Sequence, residues 1–300
     1  ADRIVVDVEE QVTELELAKV EKLTGPLGLE RGAGVVEANF TRHLEIYPDG
    51  AVDMATRGDV TLAGLNLAVD GLGAVTLADG KVSVDTVLGL GADDSLKVTG
   101  TLNVEGTAAN VDRGAELTAT ATRFRVDLAD LVAEGKLGGD MTVAVRPTVS
   151  LAGLVLSQPA AVTLAAIEIP LGQTRVALKG NAVDLTTGGV LTLRDLDVTR
   201  PVEVAVKSGE VPLESLALSL GGDTVKLDGR VAVKLAGVAV KAPTETQVDA
   251  QVDARVAALD LPLETLSVVL AGDKLDARTT GRLNLREAAV TAPDGKAGLA

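Results

Sequence analysis

Between Pro212 and Pro243 the chain reads PLESLALSLGGDTVKLDGRVAVKLAGVAVKAP, with apolar side chains at almost every second position. A period of two places them on one face of a β-strand, whereas a helix needs returns at three and four. The same alternation recurs at Ile4, Val6 and Val8, at Val60 and Leu62, at Leu65, Leu67 and Val69, at Val82 and Val84, and at Leu96 and Val98. Gly and Asp cluster between these runs, as in VDGLG, GADD, GGD and AGD, and read as turns. The expected fold class is all-β with few or no helices. A helix competes only in VEEQVTELELAKVEKL, where Val8, Val12 and Leu15 keep helical spacing; Leu15 and Leu17 fit a strand, the reading preferred here.

The alternation is organised into repeats. Pro170, Pro212 and Pro262 each follow an acidic and then an aliphatic residue and precede Leu, and a second proline closes each unit at Pro201, Pro243 and Pro293. Between them Val176, Leu218 and Val268 align without a gap, as do Leu178, Leu220 and Leu270; Gly180, Gly222 and Gly272; Leu191, Val233 and Leu283; and Leu193, Leu235 and Leu285. The clearest units are therefore 168–201, 210–243 and 260–293. LKVTGTLNVEGTAANV, from Leu96 to Val111, overlays Val225 to Val240 in the same way. Repeated units of about 42–50 residues are assigned to 96–300. Residues 1–95 form an N-terminal β segment with weaker repetition, whose stretch 24–58, with TGPLGLERGAG and IYPDG, is expected to be loop-rich.

Each unit has room for three or four strands, which in the best copy fall near 214–220, 224–235 and 246–257, with a bend around Ala236 and Gly237. On the order of 20 to 25 strands would result, more than an open twisted sheet holds before it curls. Repeats that pack on their neighbours favour an elongated body, roughly 100 Å long at this strand count. The expected architecture is a repetitive antiparallel sheet curled into a groove, with one continuous aliphatic face and with prolines at strand ends or bends. The alternative is a solenoid or sandwich whose aliphatic residues pack against each other in a dry core, serving a structural or adhesive role.

Composition narrows the function. A net charge of -15 with singly scattered Lys and Arg argues against a nucleic-acid partner. The chain has no Cys, so disulfides and thiolate chemistry are excluded, and the compartment stays open. No apolar run is long enough for a membrane-spanning helix, and the three aromatics Phe40, Phe124 and Tyr47 cannot supply the two girdles of a membrane barrel. ADRIVVDVEE lacks a basic region followed by an apolar block, as expected of a soluble chain, a mature form or a fragment.

No catalytic or metal site is expected. His43 is the only histidine and lacks partners for a triad or a His-based metal centre. The acidic pairs Asp93–Asp94, Asp127–Asp130, Asp195–Asp197 and Asp249–Asp253 fit no calcium-loop pattern and read as solvated faces and turns. GLGADD, from Gly89, is not followed by GK[ST] and reads as a turn. The chain is expected to be no enzyme and to take no cofactor.

LSLGGDTVKLDGRVAVKLAGVAVKAP and VVLAGDKLDARTTGRLNLREAAVTAP resemble the repeats of AsmA-like and TamB-like envelope proteins, over about residues 96–293. The resemblance implies a long open β-groove that moves phospholipid or other lipid between the membranes of the bacterial envelope. It also implies a periplasmic setting and, as partners, envelope membrane proteins or further copies of the chain. The residues expected to line the groove are Val176, Leu178, Leu191, Leu193, Leu218, Leu220, Val225, Leu227, Val233, Leu235, Val268, Leu270, Leu283 and Leu285. The sequence departs from that family's pattern in its missing anchor helix and its short length.

Overall fold

The computed structural model describes residues 3–19, 29–69, 73–158, 160–199, 202–222, 224–243, 251–271, 274–292 and 295–299. Among them sixteen strands follow one another: β1 (Ile4–Glu16), β2 (Leu29–Ile46), β3 (Val52–Val69), β4 (Gly73–Leu90), β5 (Ser95–Asp112), β6 (Thr118–Lys136), β7 (Met141–Gln158), β8 (Val162–Pro170), β9 (Thr174–Lys179), β10 (Ala182–Val198), β11 (Glu203–Gly221), β12 (Thr224–Pro243), β13 (Gln251–Ala271), β14 (Lys274–Gly281), β15 (Asn284–Ala292) and β16 (Gly295–Leu299). Every pairing among them is antiparallel and joins sequence neighbours, apart from β8 and β9, which share β7 and β10, and β14 and β15, which share β13. The sheet is therefore a meander of fourteen ranks. In place of the competing N-terminal helix, β1 runs through Val8 and Val12, and among the described residues of that stretch only a 3-10 turn follows, at Leu17–Lys19.

The strands are longer and fewer than the sequence suggests. A unit contains two long strands rather than three or four, with 203–221, 224–243 and 251–271 where 214–220, 224–235 and 246–257 are expected; residues 246–250 lie outside the described residues. Fourteen ranks make a sheet roughly 60 Å wide, not 100 Å. The stretch 24–58 is mostly strand, with β2 and the start of β3 flanking a turn at Tyr47–Ala51; residues 24–28 lie outside the described residues. Pairing between β4 and β5 spans residue 95 without a break, so the sheet is continuous there. Of the closing prolines, Pro201 and Pro293 lie outside the described residues.

The strands look short in sequence because each is creased. Gly64, Ala108, Gly153, Asp195, Gly237 and Glu287 have left-handed φ between 49° and 62°, one on every second rank. The flanking ladder pairs set them opposite Ala78, Thr122, Ala165, Lys207 and Ala257 of the intervening strands, so that all eleven residues lie on one line across the sheet. On both sides of the line the aliphatic spacing is two. Across it the spacing is three, as from Leu62 to Leu65 on β3 and between their ladder partners Gly80 and Leu77 on β4. Both strands of each pair carry the extra residue, so the register is kept.

Side-chain contact shows that the aliphatic face continues through the crease. A Cβ built on Gly80 would lie 2.7 Å from Leu77 Cδ2 and 3.3 Å from Leu62 Cδ1, residues from opposite sides of the line. The deepest aliphatic side chains sit beside it: Leu77 and Leu164 are 8% exposed and Val206 is 4% exposed. On the other surface even the small residues Ala63, Ala78, Ala108, Ala165 and Ala257 are exposed. The sheet therefore folds toward its aliphatic face, making a trough with the crease as its floor.

A second, one-sided set of bulges lies farther along the strands. β11 carries Glu214 and β13 carries Glu264 as extra residues directly after Pro212-Leu213 and Pro262-Leu263. Pro212 keeps its ladder partner Val190 on β10 and has none on β12; Pro262 keeps Ala232 on β12 and has none on β15. The prolines thus sit inside strands, at bulges where one ladder is already interrupted, and Pro170 ends β8 at the equivalent break.

Candidate functional site: an uncharged aliphatic trough

Two rows of directly paired residues cross the sheet on one face. One is Ile46, Val52, Leu90, Leu96, Gly135, Met141, Leu178, Val183, Leu220, Val225, Leu270 and Leu275; the other is Leu44, Met54, Leu88, Val98, Ala133, Val143, Val176, Leu185, Leu218, Leu227, Val268 and Ala277. A third row nearer the crease contains Phe124, Leu151, Ile167, Leu193, Leu235, Leu259 and Leu285. β12 alternates without interruption from Val225 to Leu235, so the rows share a single face.

Thirteen of the fourteen residues expected to line a groove lie on this face. Val176, Leu178, Leu218, Leu220, Val225, Leu227, Val268 and Leu270 fall in the first two rows, and Leu193, Leu235 and Leu285 in the third. Leu191 and Val233 sit between them by alternation. Leu283 lies in the break between β14 and β15, where no ladder pair fixes its face. None of the fourteen is buried, and Leu270 and Leu285 are 39% and 44% exposed. No second layer covers the face among the described residues. The chain exposes 18608 Å², whereas a compact protein of 30.5 kDa exposes roughly 12,000 Å².

The face extends beyond the sequence-based set in two directions. It includes the N-terminal third, from Leu44 and Ile46 onward, and it crosses the crease to Leu154, Leu164, Leu196, Val206, Val238 and Val256. Among the described residues from β3 to β13 its only polar side chains are Thr56, Thr86, Thr174 and Thr187, and none is charged. Thr174 and Thr187 satisfy each other with hydroxyls 2.7 Å apart.

From β3 to β13 the charges occupy the opposite face. Arg57 pairs with Asp85 at 2.6 Å, Lys97 with Glu134 at 2.6 Å and Lys226 with Asp228 at 2.7 Å. A cavity of about 680 Å³ is also on this polar side, a furrow among Arg194, Ser208, Glu210, Lys234, Asp260 and Arg286. His43 lies there on β2, with Nδ1 2.7 Å from Asp7 and Nε2 3.2 Å from Glu45. These two carboxylates raise its pKa, Asp7 foremost. Asp93 caps a turn by accepting from the Ser95 amide. Among the described residues no His, Cys, Asp and Glu group is placed to hold a metal ion, and no helix is long and apolar enough to cross a membrane.

No protein-family model, curated protein or solved structure matches the chain.

Proposed function

We propose that the chain binds the acyl chains of lipids along its creased aliphatic face and serves as a conduit for them in the bacterial cell envelope. The observation that carries this reading is the combination of continuity and openness. Among the described residues, aliphatic rows run from β2 to β14 without a charged residue after β2, and no second layer covers them. Each CH₂ taken out of water is worth about 0.8 kcal/mol, so an acyl chain of about 16 carbons faces a barrier on the order of 12 kcal/mol in crossing water unaided. A trough of Leu, Val and Ile removes most of that barrier, and its lack of directional polar groups lets a chain slide rather than lodge. The resemblance of the repeats to AsmA-like and TamB-like proteins points the same way, and a periplasmic location follows from that resemblance.

Native mass spectrometry of gently purified protein tests the reading. Co-purified lipid, released on mild activation, is the expected result. A lipid-free chain that is stable and does not take up lipid from vesicles would remove the basis for a conduit and favour a purely structural role.

A further inference from the structure

Among the described residues the aliphatic face carries one ion pair. Arg42 of β2 projects from it, two residues from Phe40 and two from Leu44, and its Nη1 lies 2.8 Å from Glu10 Oε1 of β1. Its guanidinium carbon stands 5.9 Å from the centre of the Phe40 ring. Arg42 pairs across the ladder with Thr56, and Thr56 with Thr86, so one arginine, one glutamate and two hydroxyls form a short polar band. Both charged side chains remain open to solvent, at 40% for Arg42 and 43% for Glu10. From β3 to β13 no other charge reaches this face among the described residues.

We infer that this band holds the headgroup of a zwitterionic phospholipid whose acyl chains lie in the trough toward β3 and beyond. The inference rests on the acyl-chain reading above and adds the class of lipid and its orientation. An exposed ion pair contributes little to stability, so exchanging its partners is inexpensive. A headgroup with one phosphate and one ammonium gives both members a new counter-charge: the phosphate accepts from Arg42, whose planar guanidinium suits it, and the ammonium donates to Glu10. A purely anionic headgroup would have to displace Glu10 and leave its carboxylate beside a second negative charge. The Phe40 ring holds the guanidinium in place while its partner changes. Thr56 and Thr86 offer hydroxyls to ester or phosphate oxygens, on the side where the uncharged rows begin.

The test is a competition for lipid. The chain is incubated with vesicles of equal parts phosphatidylethanolamine and phosphatidylglycerol, re-isolated, and its bound lipid quantified by mass spectrometry. The wild type should carry a several-fold excess of phosphatidylethanolamine. Arg42→Gln should abolish the excess without lowering total lipid, and Glu10→Gln should shift it toward phosphatidylglycerol. Exchanging both residues, Glu10→Arg with Arg42→Glu, keeps an ion pair and should retain the preference, which guards against a variant that loosens β1. Equal amounts of the two lipids on the wild type, or an excess unchanged in Arg42→Gln and Glu10→Gln, would overturn the headgroup site while leaving acyl-chain binding intact. Absence of any bound lipid would overturn both.

Discussion

Gly237 of β12 and Lys207 of β11 face each other on the crease, and a Cβ on Gly237 would stand 2.9 Å from Lys207 Cβ. Gly237 also has φ +62°, a conformation that costs a side-chain-bearing residue about 1–2 kcal/mol and a β-branched one more. Gly237→Val is therefore expected to destabilise the sheet by about 2 kcal/mol or more. Because repeats unfold semi-independently, hydrogen exchange across β11–β13 is the fitting measurement, and unchanged protection there would refute the strain argument.

The opposite substitution should stabilise. Ala108 and Glu287 hold the same left-handed conformation with a side chain attached, at φ 50° and 51°. Replacing either by Gly removes the strain at some cost in unfolded-chain entropy, for a net gain of about 0.5–1 kcal/mol. A raised denaturation midpoint in Ala108→Gly is expected; a lowered one would mean that the crease is not strained at these positions.

Depth on the aliphatic face should separate folding from binding. Leu164, beside the crease, is 8% exposed, and Leu164→Ala should cost about 2–3 kcal/mol. Leu220 and Leu235 are only half-buried and Leu270 is exposed, so a glutamate at any of them reaches water and keeps its hydration. The triple Glu variant should retain its β-sheet circular dichroism and lose lipid uptake. Collapse of the sheet signal in that variant would indicate that the three leucines are packed rather than open.

Tyr47 is the only tyrosine, so phenolate absorbance reports on it alone. Its hydroxyl donates to Glu45 at 2.7 Å and lies 3.2 Å from Asp53; the Glu45 hydrogen bond foremost, with the Asp53 carboxylate, disfavours the phenolate and raises its pKa to about 12. Glu45→Gln should bring the spectrophotometric midpoint down toward the ordinary value near 10. A midpoint that does not move would show that the Glu45 contact is absent in solution.

His43 ties β1 to β2 through Asp7, and its raised pKa fixes the direction of the pH effect. A group whose folded pKa is raised contributes fully below its unfolded value, near 6.5, and loses that contribution as pH rises through the folded value. NMR titration of the imidazole should give a midpoint above 6.5 that falls in Asp7→Asn. An unshifted midpoint in the wild type would rule out this tether.

The alternation at Val225, Leu227, Val231, Val233 and Leu235 was legible because β12 keeps a strict period of two there, and the bend placed around Ala236 and Gly237 coincides with the crease. Even the overlay of Leu96–Val111 on Val225–Val240 sets Ala108 on Gly237, the two left-handed residues. Strand length was not legible. A spacing of three, as from Leu193 to Leu196, breaks the period like a turn, and AGL around Gly64 or LAGV around Gly237 has turn composition although the chain continues straight into the same strand. Proline misled for a related reason: a bulge lets Pro212 and Pro262 occupy strand interiors. Arg42 and Glu10 were missed because their significance lies in sharing a face with uncharged rows, which only the register between β1 and β2 discloses.

The crease also governs how such a chain can lengthen. Left-handed residues recur at Asp195, Gly237 and Glu287, one per pair of strands, and each pair touches only its neighbours. Duplicating one hairpin would extend the trough by two ranks and leave every other contact as it was. Losing a single residue at the crease of one strand has the reverse outcome. Beyond that point the strand would present lysines and aspartates to the trough and leucines to water, so copying errors are tolerated in multiples of a hairpin and rejected one residue at a time.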